Sequence, residues 1–310
     1  QKTAYEIMPS LVGSEMCIRD RAMGKPFKAE EGYRKAIALH RESKNLSGEI
    51  NDTTALVYVL LQNGRRFGEA RKLLESIKEL LPQHTNSAYL VHYYQGLLAR
   101  RTENHRMALW HLKRASLHAT RMNKPQLRGF SDQVLAHSLA STGRIKDSIE
   151  LFEKGLSELP PEGAGCPRMY MLGNYGWEIL LQLEILSNGY QAPGFEHSLD
   201  VESAFKEGLS LAQTNCKGHP KEEQTFLLNL ALVAIHQNKM EKARNYLGQA
   251  ELLGERLTFR QRLWAYDIKG RILMGTGQYH LANKQYSQME TLAEDGIHPE
   301  ARWRAMIVQA

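Results

Sequence analysis

Apolar and small residues along this chain recur with a helical period, and short polar turns interrupt them at regular intervals. Each interval holds two amphipathic stretches. The first ends in a small turn, and the second carries small residues at fixed offsets. Read from the turn, the second stretches begin at Ala29, Ala70, Ala108, Ser148, Val201, Ala243 and Ala282, in steps of 41, 38, 40, 53, 42 and 39 residues. A period in this range predicts a solenoid, because one such unit cannot bury its apolar face alone and must stack on its neighbours. The expected fold class is therefore all-α, an α-α superhelix of six helical hairpins behind a leading half repeat.

The clearest unit is FSDQVLAHSLASTGRIKDSIELFEKGLSELPP, residues 130–161. Ala136 marks a close helix crossing. Gly143 suits a left-handed cap, which favours a residue without a Cβ. Ser148 and Gly155 share a face of the second helix, with Phe152 between them in the core. Pro160 and Pro161 end it. Gly96, Ala108 and Ala115 hold the small positions in a second unit. Ala231, Ala243 and Ala250 hold them in a third; in a fourth Gly270 and Ala282 do, with Met289 at the last place. This scheme of three small crossing positions, a second-helix aromatic and a terminal proline resembles the tetratricopeptide repeat. The long step of 53 is assigned to an insertion, SNGYQAPGFEHS, at residues 187–198.

Residues 1–21 fall outside the pattern. The string AYEIMPSLVGSEMCIRDR at 4–21 has no helical period and no capping signal, and it resembles translated sequencing-adapter read-through. The domain reading is a non-native or disordered segment at 1–21 and a single repeat array over 22–310, expected to be truncated at both ends. With no first helix before it, the stretch at 27–42 is expected to leave Phe27, Tyr33 and Ile37 under-packed.

Composition is that of an ordinary globular chain, with 42% hydrophobic and 24% charged residues. No stretch approaches the ~20 apolar residues a membrane span needs, so no membrane role is expected. Cys17, Cys166 and Cys216 are isolated in sequence, which points away from a disulfide framework and towards a cytoplasmic setting. Nucleophile, metal and phosphate signatures are absent: there is no GxxxxGK[ST], no placed GxGxxG and no HExxH. No cofactor, no metal and no catalytic residue are expected. His105, His111 and His118 do not have two-ligand spacing and read as solvated. Asp267 and Arg271 read as an i, i+4 ion pair.

Charge changes the picture at one place. Arg100, Arg101, Arg106, Lys113, Arg114, Arg121, Lys124 and Arg128 are opposed between 100 and 128 only by Glu103, a net +7 against +6 for the whole chain. Arg106, Lys113, Arg114, Arg121, Lys124 and Arg128 form a candidate basic patch for an acidic partner. No interleaved aromatic series favours nucleic acid. In the family the chain resembles, the first helix of each hairpin lines an inner groove. Carried over, the groove positions are Tyr93, Leu97, Arg100 and Arg101, then Gln133 and His137, then Asn229, Leu232 and His236, then Asp267 and Arg271. Their mixture of aromatic, apolar and cationic groups suits an extended protein or peptide partner of acidic character. The family's carboxylate clamp, a particular set of Lys and Asn, is missing.

From about Met169 onward the elements LGNYGWEILL (172–181), EEQTFLLNLALVAIHQNKMEKARNYL (222–247), WAYDIKGRILMGTGQY (264–279) and HPEARWRAMIVQA (298–310) resemble the repeat region upstream of bacterial CHAT peptidase domains. That resemblance implies a recruiting array whose peptidase lies beyond Ala310. The function expected is a protein–protein interaction scaffold, not an enzyme. The competing expectation is a ligand-sensing repeat module of a transcriptional activator or signalling enzyme.

Overall fold

A computed structural model describes residues 26–62, 66–80, 87–159, 165–187, 200–216, 220–253 and 259–295. The fold is all-α, of the α-α superhelix class, with thirteen helices and no strand among the described residues. The helices are α1 (Pro26–Glu42), α2 (Leu46–Gln62), α3 (Phe67–Lys78), α4 (Ala88–Arg101), α5 (His105–Arg121), α6 (Pro125–Ala140) and α7 (Ile145–Glu158), then α8 (Gly165–Ser187), α9 (Val201–Thr214), α10 (Pro220–His236), α11 (Met240–Leu252), α12 (Phe259–Gly275) and α13 (Tyr279–Asp295). Two compact units divide the chain, Gln1–Pro167 and Arg168–Ala310.

In the first unit each helix from α1 to α7 packs on the next, and α2 also packs on α4. In the second, α9 to α13 pack in the same serial way, and α10 also packs on α12. Contacts are thus local in sequence, as expected when every hairpin is buried by its neighbours.

The core follows a single register. Four residues after each marker position stands a large apolar side chain: Tyr33, Leu74, Leu112, Phe152, Phe205, Leu247 and Tyr286, all buried. These residues fill the hairpins because the facing helix is small where they cross it. A Cβ placed on Gly96 would meet the Leu112 side chain at 2.6 Å, and one on Gly176 would meet the Phe205 ring at 2.6 Å. At the second small position of α9, a Cβ on Gly208 would collide with the Phe226 ring. α9 differs at its start. It opens at its marker residue Val201, where the other second helices open three residues earlier, and the Asp200 side chain caps it by accepting from the Ser203 amide at 2.9 Å.

One turn recurs inside the hairpins. Glu103, Gly143, Asn238 and Gly277 all have positive φ, between 57° and 79°. Around each, the backbone closes two reverse bonds. The amide of Asn104 donates to the Ala99 carbonyl and that of Glu103 to the Arg100 carbonyl; Arg144 and Gly143, Lys239 and Asn238, Gln278 and Gly277 repeat the pattern. This pair of bonds satisfies the last carbonyls of the first helix with a left-handed residue after its end. Gly143 is the cap its sequence position predicts; Asn238 is the other residue that tolerates this cap, and Glu103 adopts the same geometry despite its Cβ.

Two expectations are corrected. Tyr33 and Ile37 are not under-packed. Both are buried in a cluster with Ile50, Leu56, Leu60 and Leu74, because the hairpin that follows α1 covers them. Of the three, only Phe27 stays open, at 82% exposure. The cysteines are not isolated thiols either: Cys166 and Cys216 are disulfide-bonded. Residues 50 apart in sequence give a spacing rule nothing to recognise. Cys17, the adapter-like string and the 188–198 part of the insertion lie outside the described residues.

Candidate interaction surface

The first helices decide where an inner groove can be open. On α4, Tyr93, Leu97 and Arg100 follow one another at four and three residues and therefore share a face. All three are half-buried, and Arg101 beside them is exposed. Aromatic packing fixes this face. Tyr89 stacks on Tyr93 with ring centres 5.8 Å apart, Tyr93 meets Tyr94 edge-on at 5.3 Å, and Tyr94 meets Tyr58 of α2 at 6.4 Å. The Tyr89 hydroxyl donates to the Leu127 carbonyl at 2.8 Å, and burial raises its pKa well above the usual phenol value. The ladder ties α2 and α4 together and holds Tyr93 against rotation. On α6, His137 is half-buried and Gln133 is buried.

In the second unit the corresponding positions are largely closed. Asn229 is 2% exposed and Leu232 is 5% exposed, so neither forms a wall that a partner could touch. Trp177 of α8 and Trp264 of α12 stack at 5.1 Å with planes 21° apart, joining two first helices from either side of α10 in the chain. Asp267 is buried and accepts from Arg271 Nε at 3.1 Å, the ion pair read from their spacing. His236 is exposed at the end of α10. A separate cleft of about 550 Å³ lies between α12 and α13 and includes Arg262, Tyr266, Lys269 and Lys284 in its walls.

Of the six candidate basic residues, one is drawn out of the patch. Arg128 is drawn inward: its guanidinium pairs with Glu158 of α7 and stands 3.9 Å from Asp132. Asp132 stands one turn further along α6, just past the counted window, and only Glu158 comes from a distant helix. Lys113 and Arg128 border a second cleft, of about 270 Å³, with Asp132, Lys154 and Glu158. Burial raises the Asp132 pKa. Arg106, Arg114, Arg121 and Lys124 remain exposed. Arg114 lies over the Trp110 ring, its guanidinium carbon 4.2 Å from the ring centre.

The histidines are not all solvated. His92 of α4 was not singled out by spacing, yet it joins His111 and His118. His92 Nδ1 lies 3.0 Å from His111 Nδ1, and the His92 and His118 rings stack at 5.6 Å. Trp110 closes edge-on against His92 and His111. Loss of water around the rings, together with the neighbouring histidines, Arg114 and Lys78, pushes His92 down to about 4; the same desolvation with Lys78 and Arg114 takes His111 to about 4. His118 is lowered for the same kind of reason. With both held low, one of the His92 and His111 rings can donate its Nδ1 proton to the other. His105 is half-buried outside this group.

The chain is similar in fold to a known structure. BtubC (BKLC) from P. vanneervenii is 12% identical, with a TM-score of 0.53 over 76% of this chain and 90% of that one. The apo form of the quorum sensor NprR from B. thuringiensis is 14% identical, covering 96% of each chain with a TM-score of 0.37. No protein-family model matches the chain, and no curated protein does. At these identities the likeness to BtubC speaks for the fold alone.

Sequence reading missed His92, Trp110, the tryptophan stack and the cleft at α12 and α13. Trp177 and Trp264 stood inside motifs quoted above, but nothing in a linear pattern pairs residues 87 positions apart. Trp110 carried a usable signal: a large aromatic three residues from Met107 and seven from Leu117 on a helix whose core line lies elsewhere.

Among the described residues no group of three histidine, cysteine, aspartate or glutamate side chains could hold a metal ion. No helix among them is long and apolar enough to cross a membrane.

Proposed function

We propose that this chain is the partner-binding array of a larger bacterial protein, and that it holds an extended, acidic protein or peptide segment along α2, α4 and α6. One observation carries the reading. Tyr93, Leu97 and Arg100 form a continuous aromatic, apolar and cationic line, fixed by the tyrosine ladder yet still reachable, while Asn229 and Leu232 of α10 are buried. A fixed aromatic and an arginine lose little freedom on binding, which is why such residues dominate contact energies. The role proposed is binding, without turnover and without a cofactor.

The repeat is proposed to be of the tetratricopeptide kind, supported by the small markers and the large residue four places later in every second helix. A parent protein with a CHAT peptidase rests on the order of the C-terminal motifs. A sensing role is the second reading, favoured by the cleft at α12 and α13, whose walls include Glu251, Arg262, Lys269 and Lys284. The proposed cytoplasmic setting meets one opposing fact, the bonded Cys166 and Cys216, since such bonds persist mainly in oxidising compartments. Counting free thiols in protein purified under thiol-blocking conditions tests it.

Selection of random 15-residue peptides displayed on phage tests the function. Enrichment of sequences rich in Asp and Glu with apolar anchors, abolished by Tyr93→Ala with Arg100→Glu, is expected. Selection yielding no enrichment, or peptides indifferent to those two changes, would overturn it.

A further inference from the structure

The second helix α5 carries a line of exposed apolar residues, of which Trp110 also packs by one edge against His92 and His111. Its buried line is Ala108, Leu112, Ala115 and Ala119. On the opposite side run Met107, Trp110, Arg114, Leu117 and Arg121, spaced alternately by three and four residues. Met107 is 41% exposed, Trp110 45% and Leu117 48%, three large apolar side chains on one helix face left in water. Isolated exposed apolar residues need no explanation, but a spaced line of them does. Alternating steps of three and four are the seam of a helix that meets another helix, with one knob per step.

We propose that this outer face of α5 docks an acidic amphipathic helix from a partner protein. Charge complementarity decides the occupant. Arg106, Lys113, Arg114 and Arg121 are exposed around the apolar line, and no carboxylate ion-pairs with them among the described residues. Two of the cations stand within the line itself: Arg114 between Trp110 and Leu117, and Arg121 after Leu117. A lipid surface takes an apolar stripe with cations at its margins, where they reach headgroups. A facing helix instead places a carboxylate opposite each interior cation and fixes the register by doing so. Arg114 already lies over Trp110, which holds the indole in place and leaves the outer guanidinium edge for a carboxylate. The line spans about four turns, roughly 21 Å, so the partner helix is about fifteen residues long. Its proposed anchors are two or three leucine-like residues over Trp110 and Leu117, flanked by Asp or Glu.

This surface is on α5 and the groove proposed above is on α2, α4 and α6, so the two proposals fail separately. The test uses the full chain and three fluorescent 18-residue peptides: a helical one with a leucine heptad seam and glutamate flanks, the same with lysine flanks, and a scramble of the acidic one. Anisotropy is read at low and at physiological salt, with the change in tryptophan emission that is lost in Trp110→Ala as a second signal. The acidic helix is expected to bind, and to weaken at least tenfold as salt rises. Trp110→Ala is expected to weaken it at least tenfold more. Arg114→Glu with Arg121→Glu is expected to lose the acidic peptide and gain the lysine one, a swap that misfolding cannot produce; circular dichroism confirms the helix content of each variant. Tyr93→Ala with Arg100→Glu is expected to leave this binding unchanged. Equal binding of the scramble or of the lysine peptide by the unmodified chain would overturn the proposal, as would absence of binding. Preferential, Trp110-dependent binding to phosphatidylserine vesicles would replace the helix with a lipid surface.

Discussion

His92 of α4 and His111 of α5 face each other through their Nδ1 atoms at 3.0 Å. Both are held near pKa 4, below the usual 6.5, by desolvation and by nearby cationic or histidine groups. Their folded pKa values lie below the unfolded value, so the unfolded chain binds more protons between pH 6.5 and 4. The stabilising effect is complete above 6.5 and lost as pH falls towards 4. Glu202 acts in a lower window. Hydrogen bonds from Lys206 and Lys242 hold it at about 2, so its contribution is present above pH 4.5 and lost as pH falls towards 2. Chemical denaturation across pH should show stability declining from 6.5 to 4. The double variant His92→Phe, His111→Leu should flatten that limb and keep the one below 4.5. An unchanged slope between 6.5 and 4 would contradict the geometry of the pair.

Gly176 tests the packing of α8 on α9. A methyl group there would stand 2.6 Å from the Phe205 ring, which is fully buried. Replacing a helical glycine by alanine gains about 1 kcal/mol of helix propensity. Overpacking costs about 1–3 kcal/mol. Gly176→Ala should therefore lower stability by up to about 2 kcal/mol, and Gly176→Ala with Phe205→Leu should recover most of it. Denaturant midpoints of the two variants check this.

Glu103 offers the opposite sign. Its φ of 57° is left-handed, a region that costs an L-residue about 1–2 kcal/mol. Glycine removes that cost but adds about 0.5–1 kcal/mol of unfolded-chain entropy. Glu103→Gly should raise stability by about 0.5–1 kcal/mol, read from the thermal midpoint.

Ala243 is fully buried in α11, at the marker position of its repeat. Ala243→Trp should cost more than about 3 kcal/mol by overpacking one hairpin. A wild-type melting curve for that variant would put the repeat register in error.

Most of the fold was legible because it is local. The marker residues from Ala29 to Ala282 and the large residues four places later depend only on helical period and size, and each is answered within its own hairpin or the next. Phe205 obeys the same offset although α9 opens late. What the sequence hid involves distance. Arg128 reads as part of a free basic patch until Glu158 comes beside it from α7. Leu232 and Asn229 occupy groove positions by register, yet they are buried, and the Trp177–Trp264 stack between α8 and α12 is visible only once the helices are assembled. Tyr33 and Ile37 were expected to need a preceding helix; the following one covers them. His92 was passed over because its partners lie nineteen and twenty-six residues on, on another helix.

Hydrogen–deuterium exchange of the full chain, with and without a peptide selected from the random library, tests the central claim of an acidic-partner groove most directly. The account predicts slowed exchange in residues 88–101 and 125–140, diminished when Arg100 is changed to Glu. Protection confined to residues 259–295, or exchange unchanged throughout, would contradict it.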